Sequence, residues 1–192
     1  LEKKAKIIII SHIGRPKGKI NSELSMRPIR DNLEKKLNQK ISLFSENILN
    51  ITNEDLFKKF DGNIVILEHI RFYSEEEKND LNFAKHLSTF ADIYVNDAFS
   101  CSHRAHASVA SITKFLPSYA GLQLNSEIKA LKKVTIDIEK PITCIIGGSK
   151  ISTKIGMIEN LIPKFDNIII VGAMANNILS YKDFSIGKSM HE

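Results

Sequence analysis

The stretch Ile7-Ile8-Ile9-Ile10-Ser11-His12-Ile13-Gly14-Arg15-Pro16-Lys17-Gly18 joins four isoleucines to a polar loop. A short continuous apolar run is typical of a strand that is buried on both faces. The same pattern occurs at Ile64–Leu67, which is followed by Glu68-His69-Ile70-Arg71. It occurs a third time at residues 93–95, before Asn96-Asp97-Ala98-Phe99. Helical patterns separate these runs, and strands that alternate with helices predict an α/β fold with a parallel sheet.

An arginine follows each of these three strands. Arg15 lies in the first loop, Arg71 in the second, and Arg104 a few residues after the third strand. Ligands of open α/β sheets bind outside the carboxyl ends of the strands, so the arginines meet if the three strands are parallel neighbours. Guanidinium groups pair with phosphate and carboxylate oxygens, and several of them together favour a multiply charged anion. The sequence therefore predicts a basic anion-binding pocket.

The loop after the first strand is constrained by two glycines and a proline. It holds His12 and Arg15 on a stiff turn. We interpret the turn as an anion clamp, to which the backbone N–H groups around Ile13 and Gly14 contribute. A polar loop with a surface arginine is the alternative that the sequence leaves open.

The segment after the third strand contains two histidines around Arg104, namely His103 and His106. This arrangement favours an anionic ligand, because the guanidinium group repels a metal cation. Cys101 with these two histidines resembles part of a zinc site, but a fourth ligand is not evident. Cys101 paired with His103 as a nucleophile is a further alternative, and the histidines also suit the start of a following helix.

A glycine pair, Gly147-Gly148, separates a predicted strand from a predicted helix. Free N–H groups at a helix N-terminus attract phosphate. Lys150 and Lys154 follow, one helical turn apart, which strengthens the prediction of a phosphate site. The spacing of a Walker loop is absent. A glycine turn with surface lysines is the alternative interpretation.

Composition limits the classes of function. The 192 residues are 43 % hydrophobic and 26 % charged, which is ordinary for a globular protein. No apolar run approaches the length of a membrane span, so we expect no membrane partner. The net charge of +5 is spread over scattered lysines, so we expect no nucleic-acid partner. The two cysteines provide no disulfide framework, which fits a reducing environment, so we expect a cytoplasmic location.

Periodicity and turn signals predict the remaining elements. The first predicted helix carries one apolar stripe, formed by Ile29, Leu33, Leu37 and Ile41. Further helices are predicted over residues 52–60, 81–90, 106–116, 122–134 and 151–162, and from about residue 174. The further predicted strands are residues 41–44, 143–146 and 167–171. We expect a first domain over 1–121, a connecting helix and linker over 122–140, and a second domain that begins at 141. The chain starts at Leu1 with a buried type of strand close behind, so we expect a piece of a longer protein.

Taken together, these motifs resemble phosphoglycerate kinase. The family's order and spacing are matched by Ser11–Gly18, by Leu67-Glu68-His69-Ile70-Arg71-Phe72, by residues 75–80, by Val95-Asn96-Asp97-Ala98-Phe99, by residues 103–108, by residues 147–154 and by Ile158-Glu159-Asn160-Leu161. The resemblance covers essentially the whole chain and about the first half of a family member. It departs from the family at Ser100-Cys101-Ser102, where Gly-Thr-Ala is usual, and at Val171, where glycine is usual.

The resemblance implies a Rossmann-like, parallel-sheet, two-domain enzyme, here incomplete at both ends. Such an enzyme transfers a phosphoryl group reversibly between 1,3-bisphosphoglycerate and ADP, giving 3-phosphoglycerate and ATP in glycolysis. The implied triose site consists of His12, Ile13, Gly14, Arg15, Arg71 and Arg104, in domain 1–121. The implied nucleotide site consists of Gly147, Gly148, Lys150 and Lys154, in domain 141–192.

In this scheme Lys150 and Arg15 are the catalytic residues, and residues 122–140 form the hinge for domain closure. Mg²⁺ arrives with ADP or ATP, and no protein ligand to a metal is identified. We expect the complete protein to be a monomer and the isolated chain to be inactive. The alternative is a truncated, inactive relative that only binds phosphorylated anions.

Overall fold

The computed structural model describes residue 3, residues 5–59 and residues 62–192. The chain forms two compact units, Leu1–Asn125 and Ser126–Glu192. The strands are β1 Ile7–Ile9, β2 Ser42–Phe44, β3 Ile64–Leu67, β4 Tyr94–Asn96, β5 Ser118–Ala120, β6 Thr143–Gly147 and β7 Asn167–Val171. The α-helices are α1 Arg27–Leu37, α2 Asn53–Lys58, α3 Ser74–Glu77, α4 Leu81–Ser88, α5 Leu122–Thr135, α6 Ile155–Leu161 and α7 Ala173–Tyr181. Every strand pair is parallel, which confirms the predicted α/β class.

The strand β3 is the centre of the first sheet, with β1 and β2 on either side. All four of its residues are buried. Ile64 and Ile66 pack into one apolar cluster, whereas Val65 and Leu67 pack into a second. Because successive side chains of a strand point to opposite faces, these two clusters lie on opposite faces of the sheet. The continuous apolar run is therefore explained by burial on both faces.

The expected neighbourhood of the three strands is only partly correct. β1 and β3 are hydrogen-bonded neighbours, but β4 pairs with β5 in a separate two-stranded sheet. The strand β5 begins directly after Pro117, whose carbonyl accepts a 2.9 Å hydrogen bond from Tyr94 N–H. It has three exposed residues, Ser118-Tyr119-Ala120, and no apolar run, so the sequence pattern did not predict it.

The predicted helix over residues 106–116 is wrong. This segment consists of turns and a 3₁₀-helix, Ser111–Lys114. Buried Glu76 accepts hydrogen bonds from the N–H and the hydroxyl of Ser108, at 2.8 and 2.6 Å. Asn79 bonds Ser111 in a similar way, through its side chain and its carbonyl. Serine side chains that bond elsewhere compete with the helical ladder, and here the competing bonds come from another segment.

The helix α1 is confirmed but is shorter than its predicted stripe. It ends at Leu37, because Asn38 adopts a left-handed conformation with φ of 48°. Ile41 is buried just before β2 and does not belong to the helix. Ile29 and Leu37 are 45 % and 42 % exposed, so the stripe is only partly buried.

The helix α2 begins as predicted. Thr52 and Asp55 form a capping box, in which each side chain accepts a hydrogen bond from the other residue's N–H. The predicted end of this helix, Phe60, lies outside the described residues. The helix α5 begins at the predicted residue and extends one residue beyond the predicted end.

The second unit contains β6 and β7, which run parallel in register from Thr143 opposite Asn167 to Gly147 opposite Val171. The helix predicted over residues 151–162 starts late, since residues 152–154 are turns and α6 begins at Ile155. Within the part of the chain that the structure describes, no helix is long and apolar enough to cross a membrane.

Candidate functional site

The loops after β1 and β3 are joined by His69, which is completely buried. The Nδ1 atom of His69 accepts a hydrogen bond from Arg71 N–H at 3.2 Å. Its Nε2 atom lies between the backbone groups of Ile13, 2.9 Å from the nitrogen and 2.6 Å from the carbonyl oxygen. The His69 ring also stacks on Phe72, with 4.6 Å between the ring centroids. His69 therefore fixes Ile13 and Arg71 relative to each other.

Two backbone hydrogen bonds reinforce this junction. Ile70 N–H donates to the Ser11 carbonyl and Gly18 N–H donates to the Arg71 carbonyl, both at 3.2 Å. Gly18 has φ of +72°, and a Cβ added there would lie 2.9 Å from the Cβ of Ser74. Only glycine fits this turn without strain. The stiffness that the sequence predicts for the first loop thus comes from contacts with a second loop.

Arg71 is the buried cation of the site, with 4 % of its side chain exposed. One terminal nitrogen, Nη1, donates to the Gly14 carbonyl at 3.5 Å. Its Nε lies 3.9 Å from Glu77 Oε1 and has no hydrogen-bond partner among the described residues. Arg71 thus keeps an unused buried donor in spite of its ion pair with Glu77, and such a donor is suited to an anionic ligand.

His12 is half-buried beside this arginine. Burial lowers the pKa of His12 to about 4, and the charges of Arg71 and Arg104 act in the same direction. The imidazole is therefore neutral at neutral pH, and it serves as a hydrogen-bonding group among fixed cations. The distance of 3.9 Å between His12 Nε2 and Cys101 Sγ shows that the segments after β1 and β4 lie close together.

His106 is buried next to Glu76, with 3.7 Å between its Nδ1 and Glu76 Oε1. Burial lowers the pKa of His106, and Arg71 adds to that effect. Burial also raises the pKa of the Glu76 carboxyl, although the hydrogen bonds from Ser108 oppose this shift. His106 is therefore neutral at neutral pH and positions the segment rather than adding a positive charge.

A cavity of about 1530 Å³ lies between the edges of β1 and β4. Its polar end is lined by His12, Arg71, Cys101 and His106. The Ile13 backbone contacts His69, and the Gly14 carbonyl accepts a hydrogen bond from Arg71. His12 and Arg71 thus line the same cavity, and the charge of Arg104 acts on His12. Arg15 is exposed, and neither Arg15 nor Arg104 is among the described residues that line the cavity.

The contacts of Cys101 differ from those that the sequence suggests. Its Sγ lies 3.9 Å from His12 Nε2 and 3.8 Å from the Ser100 hydroxyl, so the partner is His12 rather than His103. Both cysteines of the chain are free. No three histidine, cysteine, aspartate or glutamate side chains of residues 3, 5–59 and 62–192 are grouped to hold a metal ion.

The glycine pair of the second unit packs against the turn after β7. Gly148 has φ of +158°, and its carbonyl accepts a 3.1 Å hydrogen bond from Met174 N–H. A Cβ added to Gly147 would lie 2.9 Å from a methyl carbon of Val171. The pair therefore permits a close approach of two strand ends. The sequence pattern predicted a helix directly after the glycine pair, but α6 begins only at Ile155.

Lys150 and Lys154 are both exposed. Lys154 is the cap residue of α6 and Lys150 precedes the turns at residues 152–154, so the two lysines are not one helical turn apart. In those turns, the N–H and the hydroxyl of Ser152 bond the Glu192 carboxylate at 2.8 and 3.0 Å. The hydrogen bond from Ser152 N–H lowers the pKa of Glu192, and the charge of Lys150 contributes. The turns thus stabilise an anionic group without a helix N-terminus.

A family model for phosphoglycerate kinase matches residues 1–192. The chain belongs to the phosphoglycerate kinase family. This finding confirms the resemblance that the sequence motifs indicated.

Individual family members agree with this assignment. The phosphoglycerate kinase of Wolbachia sp. subsp. Drosophila simulans (strain wRi) is 50 % identical over 188 residues, which are 98 % of this chain and 47 % of the relative. That of Borreliella afzelii (strain PKo) is 47 % identical over 192 residues, or 100 % of this chain and 49 % of the relative. The chain therefore spans about half the length of the curated relatives it matches.

Solved structures of the family share the fold. The structure of phosphoglycerate kinase from Coxiella burnetii gives a TM-score of 0.84 at 37 % identity and covers 100 % of this chain and 48 % of its own. The crystal structure of phosphoglycerate kinase from Pyrococcus horikoshii OT3 gives 0.82 at 27 % identity, over 97 % and 48 % of the two chains.

Proposed function

We propose that this chain supplies the triose-phosphate site and part of the nucleotide site of a phosphoglycerate kinase. The observation that carries the proposal is the buried Arg71, whose Nε donor is unused and whose charge acts together with that of Arg104 on His12. The reaction is the reversible transfer of a phosphoryl group between 1,3-bisphosphoglycerate and ADP. Positioning and charge neutralisation do most of the catalytic work in phosphoryl transfer.

The triose-binding residues are His12, Ile13, Gly14, Arg15, Arg71 and Arg104. Arg71 and Arg104 pair with phosphate or carboxylate oxygens, and neutral His12 donates or accepts a hydrogen bond. Arg15, exposed beside the buried group, is free of the geometric constraints on Arg71 and approaches the transferring phosphoryl oxygens. The family assignment and the stiff His69 junction support this division of roles.

The nucleotide-binding residues are Gly147, Gly148, Lys150 and Lys154. Support comes from the Ser152 turn, which already stabilises the carboxylate of Glu192 near Lys150. Lys150 neutralises charge on the transferring phosphoryl group and Lys154 contacts a nucleotide phosphate. Mg²⁺ accompanies the nucleotide, and its charge lowers the repulsion between phosphates.

The domain roles are part of the same proposal. Residues 1–121 bind the triose, residues 141–192 begin the nucleotide domain, and residues 122–140, which include most of α5, form the hinge. The division of the chain between Asn125 and Ser126, inside α5, supports a hinge in this helix. We further propose a cytoplasmic, monomeric enzyme in its complete form. The isolated 192-residue chain is expected to bind ligand without turnover.

Binding of 3-phosphoglycerate to the chain tests the triose site. Isothermal titration calorimetry of the unchanged chain should show binding that weakens as salt is raised. Arg71→Met should abolish it, because an apolar side chain of similar length removes the donors. Arg27→Met is the matched control, since Arg27 is exposed at the start of α1. Equal affinity of the unchanged chain and both variants would refute the assignment.

A further inference from the structure

Glu76 is an acidic residue in the interior of the first unit, with only 2 % of its surface exposed. Its Oε2 accepts a hydrogen bond from Ser108 N–H at 2.8 Å, and its Oε1 accepts one from the Ser108 hydroxyl at 2.6 Å. A buried carboxylate is unfavourable unless its oxygens are hydrogen-bonded, and here each oxygen has a partner. The contact joins α3 to a segment that is 32 positions away in sequence.

Glu76 also contacts the two residues before Ser108. Its carbonyl accepts a hydrogen bond from Ala107 N–H at 2.9 Å, and His106 Nδ1 lies 3.7 Å from its Oε1. All three contacted residues are buried. One residue of α3 therefore holds residues 106–108 through both its side chain and its backbone.

This contact lies between two arginines of the proposed triose site. Arg71 shortly precedes α3, and Arg104 lies two residues before His106. Because consecutive Cα atoms are 3.8 Å apart, the Cα of Arg104 lies within about 8 Å of the Cα of His106. Burial lowers the pKa of His106, and the charges of Arg71 and Arg104 act in the same direction. The place of Arg104 relative to Arg71 thus depends on what holds residues 106–108.

The two neighbouring glutamates of α3 have different contacts. Glu75 accepts a hydrogen bond from the Ser74 hydroxyl at 3.4 Å. Glu77 is 37 % exposed and lies 3.9 Å from Arg71 Nε. Among the described residues, neither of these two glutamates is hydrogen-bonded to residues 106–108. The three consecutive carboxylates therefore provide an internal comparison, in which only the middle one joins the two segments.

We propose that Glu76 is a positioning residue of the triose site, which holds residues 106–108 against α3 and thereby fixes Arg104 relative to Arg71. Glu76 acts through this segment and not by contact with the ligand, because its carboxylate is buried, bonded to Ser108 and of the same charge as a phosphorylated ligand. The inference rests on the proposed function, since it assigns a role within the same site.

Binding of 3-phosphoglycerate to the 192-residue chain, measured by isothermal titration calorimetry, tests the direction of the effect. Glu76→Leu removes both acceptor oxygens. Loss of a negative charge alone would leave the binding of an anion unchanged or stronger. We instead expect binding to weaken about ten-fold, because a misplaced binding group loses most of its contribution. Glu77→Leu is the matched control, since it removes the adjacent charge without releasing residues 106–108, and it should not weaken binding.

A conservative variant should rescue binding. In Glu76→Gln the amide oxygen is able to accept from Ser108 N–H, and the amide N–H to donate to the Ser108 hydroxyl. The affinity should therefore stay within about three-fold of that of the unchanged chain. Ser108→Ala removes the 2.6 Å hydrogen bond from the other side and should weaken binding by at least about three-fold, which tests the contact even if Glu76→Leu does not fold.

Two further variants separate positioning from general destabilisation. Asp80→Ala removes the hydrogen bond that caps α4 at Phe83 N–H, so it should lower stability and leave the affinity unchanged. Arg104→Gln should weaken binding, and adding Glu76→Leu to it should have no further effect, because both changes act through the same group. Additive losses, or a Glu76→Leu chain that binds as tightly as the unchanged chain, would overturn the proposal.

Hydrogen exchange gives a result that requires no ligand. The amides of Ala107 and Ser108 should exchange faster in Glu76→Leu than in Asp80→Ala, because Glu76 is their acceptor. If the unchanged chain does not bind 3-phosphoglycerate, the proposed function fails, and equal exchange in the two variants would also refute the contact. If the unchanged chain binds and Glu76→Leu binds equally well, the proposed function stands and the positioning inference is wrong.

Discussion

The positive charges near the loop after β1 and near the loop after β6 lie in different environments. The first is tied by His69 to a sequence-distant loop, and its partner cation Arg71 is buried. The second keeps Lys150 and Lys154 exposed, and its Ser152 turn bonds a carboxylate through local donors. The difference shows that a buried arginine needs a stiff frame from several segments, whereas exposed lysines need only a turn. Substitutions of His69 or Arg71 should therefore cost stability, whereas substitutions of Lys150 or Lys154 should cost little.

Loss of His69 should have the largest effect. His69→Ala removes two buried hydrogen bonds and the ring stack on Phe72, so we expect a loss of about 2–4 kcal/mol in the free energy of unfolding. Urea denaturation of the first unit, followed by circular dichroism, measures it. His103→Ala is the control, because His103 is exposed and should change stability by less than about 0.5 kcal/mol. Similar losses for both variants would contradict the role of His69 as a junction.

Glycine substitutions compare the first loop with the helix α6 of the second unit. Gly18→Ala should destabilise the chain by about 1–3 kcal/mol, because Gly18 has φ of +72° and its added Cβ would meet Ser74. Gly156→Ala should stabilise α6 by about 0.5–1 kcal/mol, since no atom lies within 4 Å of the added Cβ and alanine favours a helix. Thermal unfolding of each variant gives both signs. Opposite signs would support the difference between the constrained first loop and α6, and two losses of equal size would contradict it.

The last comparison concerns the pH dependence of His12. Because its pKa is lowered to about 4 in the folded chain, the unfolded chain binds more protons between pH 4 and 6.5. The free energy of unfolding should therefore fall as pH decreases through this range. His12→Asn should flatten this part of the stability curve, measured by urea denaturation at several pH values. An unchanged slope in His12→Asn would assign the pH dependence to other groups.

The most regular elements were accessible from sequence. All residues of β3 are buried, so its continuous apolar run predicts a strand without knowledge of its neighbours. The arginines after β1, β3 and β4 were also recognisable, because a strand end followed by a polar loop is a local signal. Phosphoglycerate kinase motifs then linked these separate signals in one order.

Other features had no local signal. His69 sits between an apolar strand and Arg71 and looks like one more polar loop residue, yet it is completely buried. The hydrogen bonds from Ser108 to Glu76 prevent an α-helix that the local pattern favours. The short exposed strand β5 forms because β4 provides a partner, and its own residues give no strand pattern.

The sequence by itself determined the parallel α/β class, the cationic character of the first site and membership of the family, since strand burial and motif spacing are properties of contiguous residues. Only the tertiary structure decided which arginine is buried, which residue joins the loops and which histidine lies beside Cys101. These outcomes depend on side chains that are 56 to 89 positions apart in sequence. Contacts over such separations are set by how the strands pair and pack, and no local pattern records them.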